Sequence, residues 1–174
     1  MIVLRELCPD SETDAATEPR SLTLPFQRRR LSRQRARLDD GEDVAIVLPR
    51  GTVLREGSVL RGDAGERIQV RARAERVSRI GSDDVLLLTR AAYHLGNRHV
   101  AVQIEKGRLS YLHDHVLDDL VLGLGLRVTV VEVPFEPESG AYAGYDARHD
   151  HEHVHEHSHS ADHGHAGSDS ESVP

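Results

Sequence analysis

"ERVSRIGSDDVLLLTRAAYHLGNRHVAVQIEKGRLSYLHDHVLDDLVLGLGLRVTVVEVP", residues 75–134, decides the fold. Its opening "ERVSRI" reads as a strand, and Gly81-Ser82-Asp83-Asp84 supplies a turn and a helix N-cap. "DVLLLTRAAYHLG" (84–96) then has the apolar spacing of a helix that ends with Gly96 at the C′ position. "HVAVQIEKGRLSYLH" (99–113) reads as two strands about a Lys106-Gly107 hairpin turn, the first beginning at His99. "DHVLDDLVLGLG" (114–125) is a second amphipathic helix, capped by Asp114 and closed by Gly123 or Gly125. "LRVTVVEVP" (126–134) is a last strand stopped by Pro134. The order β-α-β-β-α-β is the ferredoxin-like arrangement.

Upstream the period changes. "VAIVLPRGTVL" (44–54) is a short apolar run ended by Pro49 and Gly51, and "GSVLRGDAGERIQVRA" (57–72) continues with glycine-punctuated strands. Short strands at close spacing predict a small all-β barrel or sandwich over residues 1–75. Within it "RRRLSRQRAR" (28–37) is densely basic, and its alternation fits a solvated β-ribbon face. Residues 76–144 hold the ferredoxin-like domain, so the chain is α+β. From 145 to 174 apolar periodicity is lost, and this His-rich tail is expected to be disordered without a ligand.

Charge follows the same division. The formal net charge is −7 in 174 residues, but from His149 onward there are six carboxylates and no Lys or Arg, which leaves the body near −1. Acidity therefore describes the tail. Cys8 is the only cysteine, so no intrachain disulfide and no thiolate zinc site can form. "MIVLRELCPD" lacks a signal-peptide pattern, and no apolar run approaches the roughly 20 residues of a membrane helix. A soluble, cytoplasmic protein is expected.

No nucleophile elbow, phosphate-cradling glycine loop or His-Glu-x-x-His motif occurs. The chemistry-bearing side chains are imidazoles, in three places. In "YHLGNRH", His94 and His99 are five residues apart and cannot share one helix face. His94 reads as a histidine pointing into the fold and hydrogen-bonded there. His99 is either a surface residue or, near a two-fold axis, one of two ligands from a single position. In "HDH", His113 and His115 on an extended segment would project to one side, as a two-imidazole clip or as a solvated helix start. In "HDHEHVHEHSHSADHGH" (149–165) imidazoles alternate with carboxylates. The mixed spacing argues for a native metal-binding tail over an expression tag. Imidazole suits Zn, Cu, Ni and Fe, so ligand type alone does not select the metal.

At "YHLGNRH…HDHVLDDLVLGLG…PFEPESGAYAG", and again at "LPRGTVLREGSVL", the chain resembles the UreE-type urease accessory proteins, which are nickel metallochaperones. The likeness runs to about Gly144. It implies a homodimer in which the histidine of "GNRH", His99, binds Ni²⁺ at the dimer interface. It associates His113 and His115 with more peripheral metal binding and leaves His94 a structural or weak candidate. Tail ligands are implied as well, with His149 and His151 the first in reach, and His153, His155, His157 and His159 behind them. The resemblance also implies Ni²⁺ as cargo (Zn²⁺ or Cu²⁺ can also bind such ligands) and delivery to the urease-maturation GTPase and so to apo-urease. It makes the N-terminal domain a protein-contact module and the protein no enzyme.

Three rival readings remain. A general metal buffer would keep all its capacity in the tail. A nucleic-acid binder is disfavoured by the charge, by Tyr111 as the only stacking aromatic on the hairpin strands, and by the lack of an RNP-like motif. A metal hydrolase would need a fixed three-ligand set with a general base, and none is visible. No membrane partner is expected.

Overall fold

The structure is a computed structural model that describes residues 1–8 and 20–139. Two sheets account for the strands among the described residues. The first contains β1 (Ile2–Cys8), β2 (Arg20–Leu24), β3 (Arg33–Arg37), β4 (Asp43–Val47), β5 (Val59–Gly62) and β6 (Arg67–Ala72), in the order β2-β6-β5-β1-β4-β3. Their alternating apolar residues point inward, and Leu4, Leu22, Val44, Ile46, Leu60, Ile68 and Val70 form one buried cluster. The edge strands β2 and β3 approach each other through Asp39, which follows β3. Its backbone N–H donates to Ser21 O (3.0 Å). Its carboxylate accepts from Ser21 Oγ (2.6 Å), Thr23 N (3.1 Å) and Thr23 Oγ1 (2.8 Å). This bracket gives the sheet its barrel-like closure.

The second sheet contains β7 (Ala74–Gly81), β8 (Gln103–Glu105), β9 (Arg108–Leu112) and β10 (Val128–Pro134), in the order β10-β7-β9-β8 with every pairing antiparallel. Helices α2 (Val85–Gly96) and α3 (His115–Gly123) complete the ferredoxin-like β-α-β-β-α-β order. Leu88, Ala91 and Leu95 of α2 and Val121 of α3 join Ile80, Leu109 and Tyr111 of the sheet in a second core. Both expected N-caps are present. Asp84 accepts from Leu87 N (3.1 Å), and Asp114 from Val116 N (2.8 Å) and Leu117 N (3.2 Å).

Two features depart from the sequence reading. The basic stretch 28–37 is not one solvated ribbon. Arg28 and Arg29 belong to a short helix, α1 (Phe26–Arg29), and only Arg33, Arg35 and Arg37 lie on the exposed face of β3. Pro25 starts that helix, and Arg29 turns inward to full burial. The strand expected from His99 begins only at Gln103, because residues 97–100 are consumed by the turn that ends α2.

Arg29 also joins the two sheets. Its guanidinium donates to Leu24 O (3.3 Å), Leu54 O (3.2 Å) and Phe135 O, and forms an ion pair with Glu136. Beside it Phe26 and Phe135, the only two phenylalanines, meet edge to face at 5.3 Å over Val77. Arg55 extends the clamp by donating to Pro137 O (2.6 Å) and Ser139 Oγ (2.6 Å). Residues 135–139 are thereby fixed across the junction. Arg29→Ala would strand three carbonyls and unbalance Glu136, so it is expected to cost about 3 kcal/mol or more in guanidinium denaturation. A loss below about 1 kcal/mol would mean that the clamp is not structural.

Candidate metal site

The end of α2 determines how His99 is presented. Val100 N donates to Leu95 O (3.2 Å) and His99 N to Gly96 O (2.9 Å). These are the two bonds of a Schellman ending, and they place His99 at C′ with φ +56°. Gly96, expected at that position, remains in the helix. Helix α3 ends in the same way, with Leu126 N to Val121 O (3.3 Å) and Gly125 N to Leu122 O (2.9 Å), and there C′ is Gly125 at φ +88°. Of two equivalent left-handed positions, one holds the glycine that geometry favours and the other holds a histidine. His99 is the only described non-glycine residue with positive φ.

His99 is exposed and lines an open groove of about 610 Å³ with Ala92, Val100, Val102, Ile104 and Glu138. It stands just beyond the C-terminus of α2, where the helix macrodipole favours a cation. Ser139, the last described residue, borders the same groove. Glu138, anchored by its N–H to Val102 O (2.9 Å), adds a carboxylate that the sequence reading did not single out. The only hint was its place in "PFEPESG", a stretch with no metal-ligand spacing.

His94, in the last turn of α2, is half-buried. Its ring meets Tyr93 edge-on at 5.4 Å, without the ring hydrogen bond expected of it among the described residues. The "HDH" histidines are treated differently from each other. His113 Nδ1 lies 3.0 Å from Ser78 Oγ and 3.1 Å from Asp118 Oδ2. Asp118 Oδ1 in turn accepts from the fully buried Tyr111 hydroxyl at 2.8 Å. Burial, reinforced by the Asp118 carboxylate, raises the Tyr111 phenol above its ordinary range, so it stays a donor. His115 is the exposed first residue of α3, at the positive end of that helix. Ser78, Tyr111 and Asp118 carry no motif, and only their packing around His113 reveals them.

His149, His151, His153, His155, His157 and His159 lie outside the described residues. Among the described residues no three His, Cys, Asp or Glu side chains come together as a ligand set. Cys8 is a buried free thiol, and no described helix is long and apolar enough to cross a membrane.

Comparison with known proteins gives concordant matches. Residues 5–73 match the family model "UreE urease accessory protein, N-terminal domain", and residues 75–165 match its C-terminal counterpart. The chain is 52% identical to the urease accessory protein UreE of Alkalilimnicola ehrlichii over 144 residues, 83% of this chain and 86% of that one. It is 49% identical to that of Pseudomonas putida (strain W619) over 143 residues, 82% and 86% of the two chains. It is 49% identical to that of Proteus mirabilis over 124 residues, 71% and 77%.

The left-handed histidine makes a direct stability prediction. His99→Gly is expected to leave the metal-free protein as stable as before or to raise stability by up to about 1 kcal/mol, since it removes a Cβ from this conformation. Gly125→Ala, at the matched position, should cost about 1 kcal/mol. Thermal denaturation reads both, and a destabilised His99→Gly protein would contradict the assignment.

Proposed function

The chain belongs to the UreE family of urease accessory proteins, and from that premise we propose that it is a nickel metallochaperone that carries Ni²⁺ to the urease active site during assembly. Its role is that of an accessory factor in urease maturation. The observation that carries the nickel reading is His99 itself, an exposed imidazole held in a backbone conformation that disfavours it, at the cation-favouring end of a helix.

One imidazole is one ligand, and a first-row divalent ion takes four or more. A two-fold homodimer with the axis near His99 doubles it. Tail imidazoles, His149 and His151 first, complete the shell. Supporting this, Ser139 borders the His99 groove, and the 10 residues from 139 to 149 can span up to about 33 Å. A carrier must also release its cargo. Few fixed ligands supplemented by replaceable ones let an acceptor substitute them one at a time.

We assign residues 76–144 to metal binding at the interface, 145–174 to ligand supply, and 1–75 to contact with the maturation GTPase and apo-urease, all in the cytoplasm. Arg28, Arg35 and Arg73 line a pocket of about 500 Å³ on the first sheet, which suits an acidic partner surface. His113 and His115 would form a secondary, more peripheral metal site. The runner-up is a general buffer for Ni²⁺, Zn²⁺ or Cu²⁺, favoured only by the eight histidines from 149 to 165.

Calorimetric Ni²⁺ titration separates the two. His99→Ala should remove the tightest site, while truncation after Gly144 should lower stoichiometry and weaken that site without abolishing it. A His99→Ala protein that keeps its tightest site at full strength would overturn the interfacial reading, and loss of all binding on truncation would favour the buffer. Because only neutral imidazole ligates metal, affinity should fall as the solution is acidified.

A further inference from the structure

We propose that Asp118 is a positioning residue that fixes which nitrogen of His113 faces a metal. With Ser78 it holds the Nδ1–H, and Nε2 is left as the only donor atom. The inference rests on the reading of His113 as a metal ligand, but its first half concerns the metal-free protein alone.

The Asp118 carboxylate, which can only accept, decides where the hydrogens around it lie. The fully buried Tyr111 hydroxyl donates to Asp118 Oδ1 at 2.8 Å. The Ser78 hydroxyl, also fully buried, sits opposite Tyr111 in the β7–β9 register, with its Oγ 3.0 Å from His113 Nδ1. Towards a ring N–H that oxygen offers its lone pairs. The second carboxylate oxygen of Asp118 is likewise an acceptor. His113 Nδ1 faces both, at 3.0 and 3.1 Å, and must carry the hydrogen. In neutral imidazole the other nitrogen is then a bare lone pair. Metal-bound histidines recurrently show this arrangement, in which a carboxylate takes the second ring N–H, fixes the tautomer and raises ligand basicity.

The consequence for "HDH" is asymmetry. His113 is pre-oriented through Asp118, Ser78 and Tyr111. The His115 side chain makes no hydrogen bond or ion pair among the described residues. The pair is one fixed ligand and one adjustable ligand, not a symmetric clip.

The test is long-range ¹H–¹⁵N correlation NMR of the full-length chain at a pH where its histidines are neutral, with His113 assigned by comparison with His113→Ala. Wild type should show the Nδ1–H tautomer without metal, and added Zn²⁺ should shift His113 Nε2. Asp118→Asn turns an acceptor into a group that can present N–H₂ to Nδ1. It should move the population towards Nε2–H and raise the Zn²⁺ needed for the His113 shift about 10–100-fold, with the His99 response unchanged. An Nε2–H tautomer in wild type overturns the proposal whatever the metal does, and requires no folded variant. An Nδ1–H tautomer with a Zn²⁺ response at His99 but none at His113 overturns it while leaving the carrier reading intact. No response at any histidine would sink the carrier reading itself.

Discussion

A buried guanidinium organises this molecule. Arg29 is fully buried in a core built mostly from Val, Leu, Ile and Ala, and such a charge is tolerated only when its N–H groups find acceptors. Here the acceptors come from segments adjoining both sheets: Leu24 and Leu54 on one side, Phe135 and Glu136 on the other. Satisfying Arg29 therefore requires residues 135–139 to lie across the junction. That placement brings Glu138 and Ser139 to the groove lined by His99. The place of Glu138 and Ser139 at the candidate metal site is thus a consequence of where one arginine could be neutralised.

The second constraint is local. Two helices pack on the same face of one sheet and end in the same pair of hydrogen bonds, yet one uses glycine and the other histidine at the left-handed residue. Folding alone favours glycine at both. A histidine retained at a position with a conformational cost is best explained by its chemistry, and the cation-favouring field at the end of α2 agrees with that. His113 reaches a similar result by other means, through a hydrogen-bonded ring orientation in place of backbone conformation.

Much of the fold was legible in the sequence, because the signals were short-range. Asp84 and Asp114 announced their helices by side-chain capping, Lys106-Gly107 marked the hairpin, and the switch from strand to helix periodicity gave the ferredoxin-like order. The failures share a cause in tertiary structure. Gly96 looked like a helix stop, but glycine is only permissive, and the left-handed turn formed three residues later once Leu95 and Val100 were drawn into the core. The arginine run looked uniformly solvated, since nothing local distinguishes Arg29 from Arg28. Its partner Glu136 is 107 residues away. Asp118, Ser78 and Tyr111 were invisible for the same reason: they converge on His113 from β7, β9 and α3. Of the candidate site, the ligand types were readable, whereas the features that orient them were not.

The central claim is that one His99 from each of two protomers grips a single Ni²⁺. Mixed dimers carrying one wild-type and one His99→Ala protomer, isolated with two different affinity tags, test it most directly by Ni²⁺ titration. If the two imidazoles share one ion, the tight site of the mixed dimer should weaken at least about tenfold, a change of 1.4 kcal/mol or more. If mixed dimers instead keep half of the wild-type sites at wild-type affinity, each His99 binds metal on its own, and the shared site does not exist.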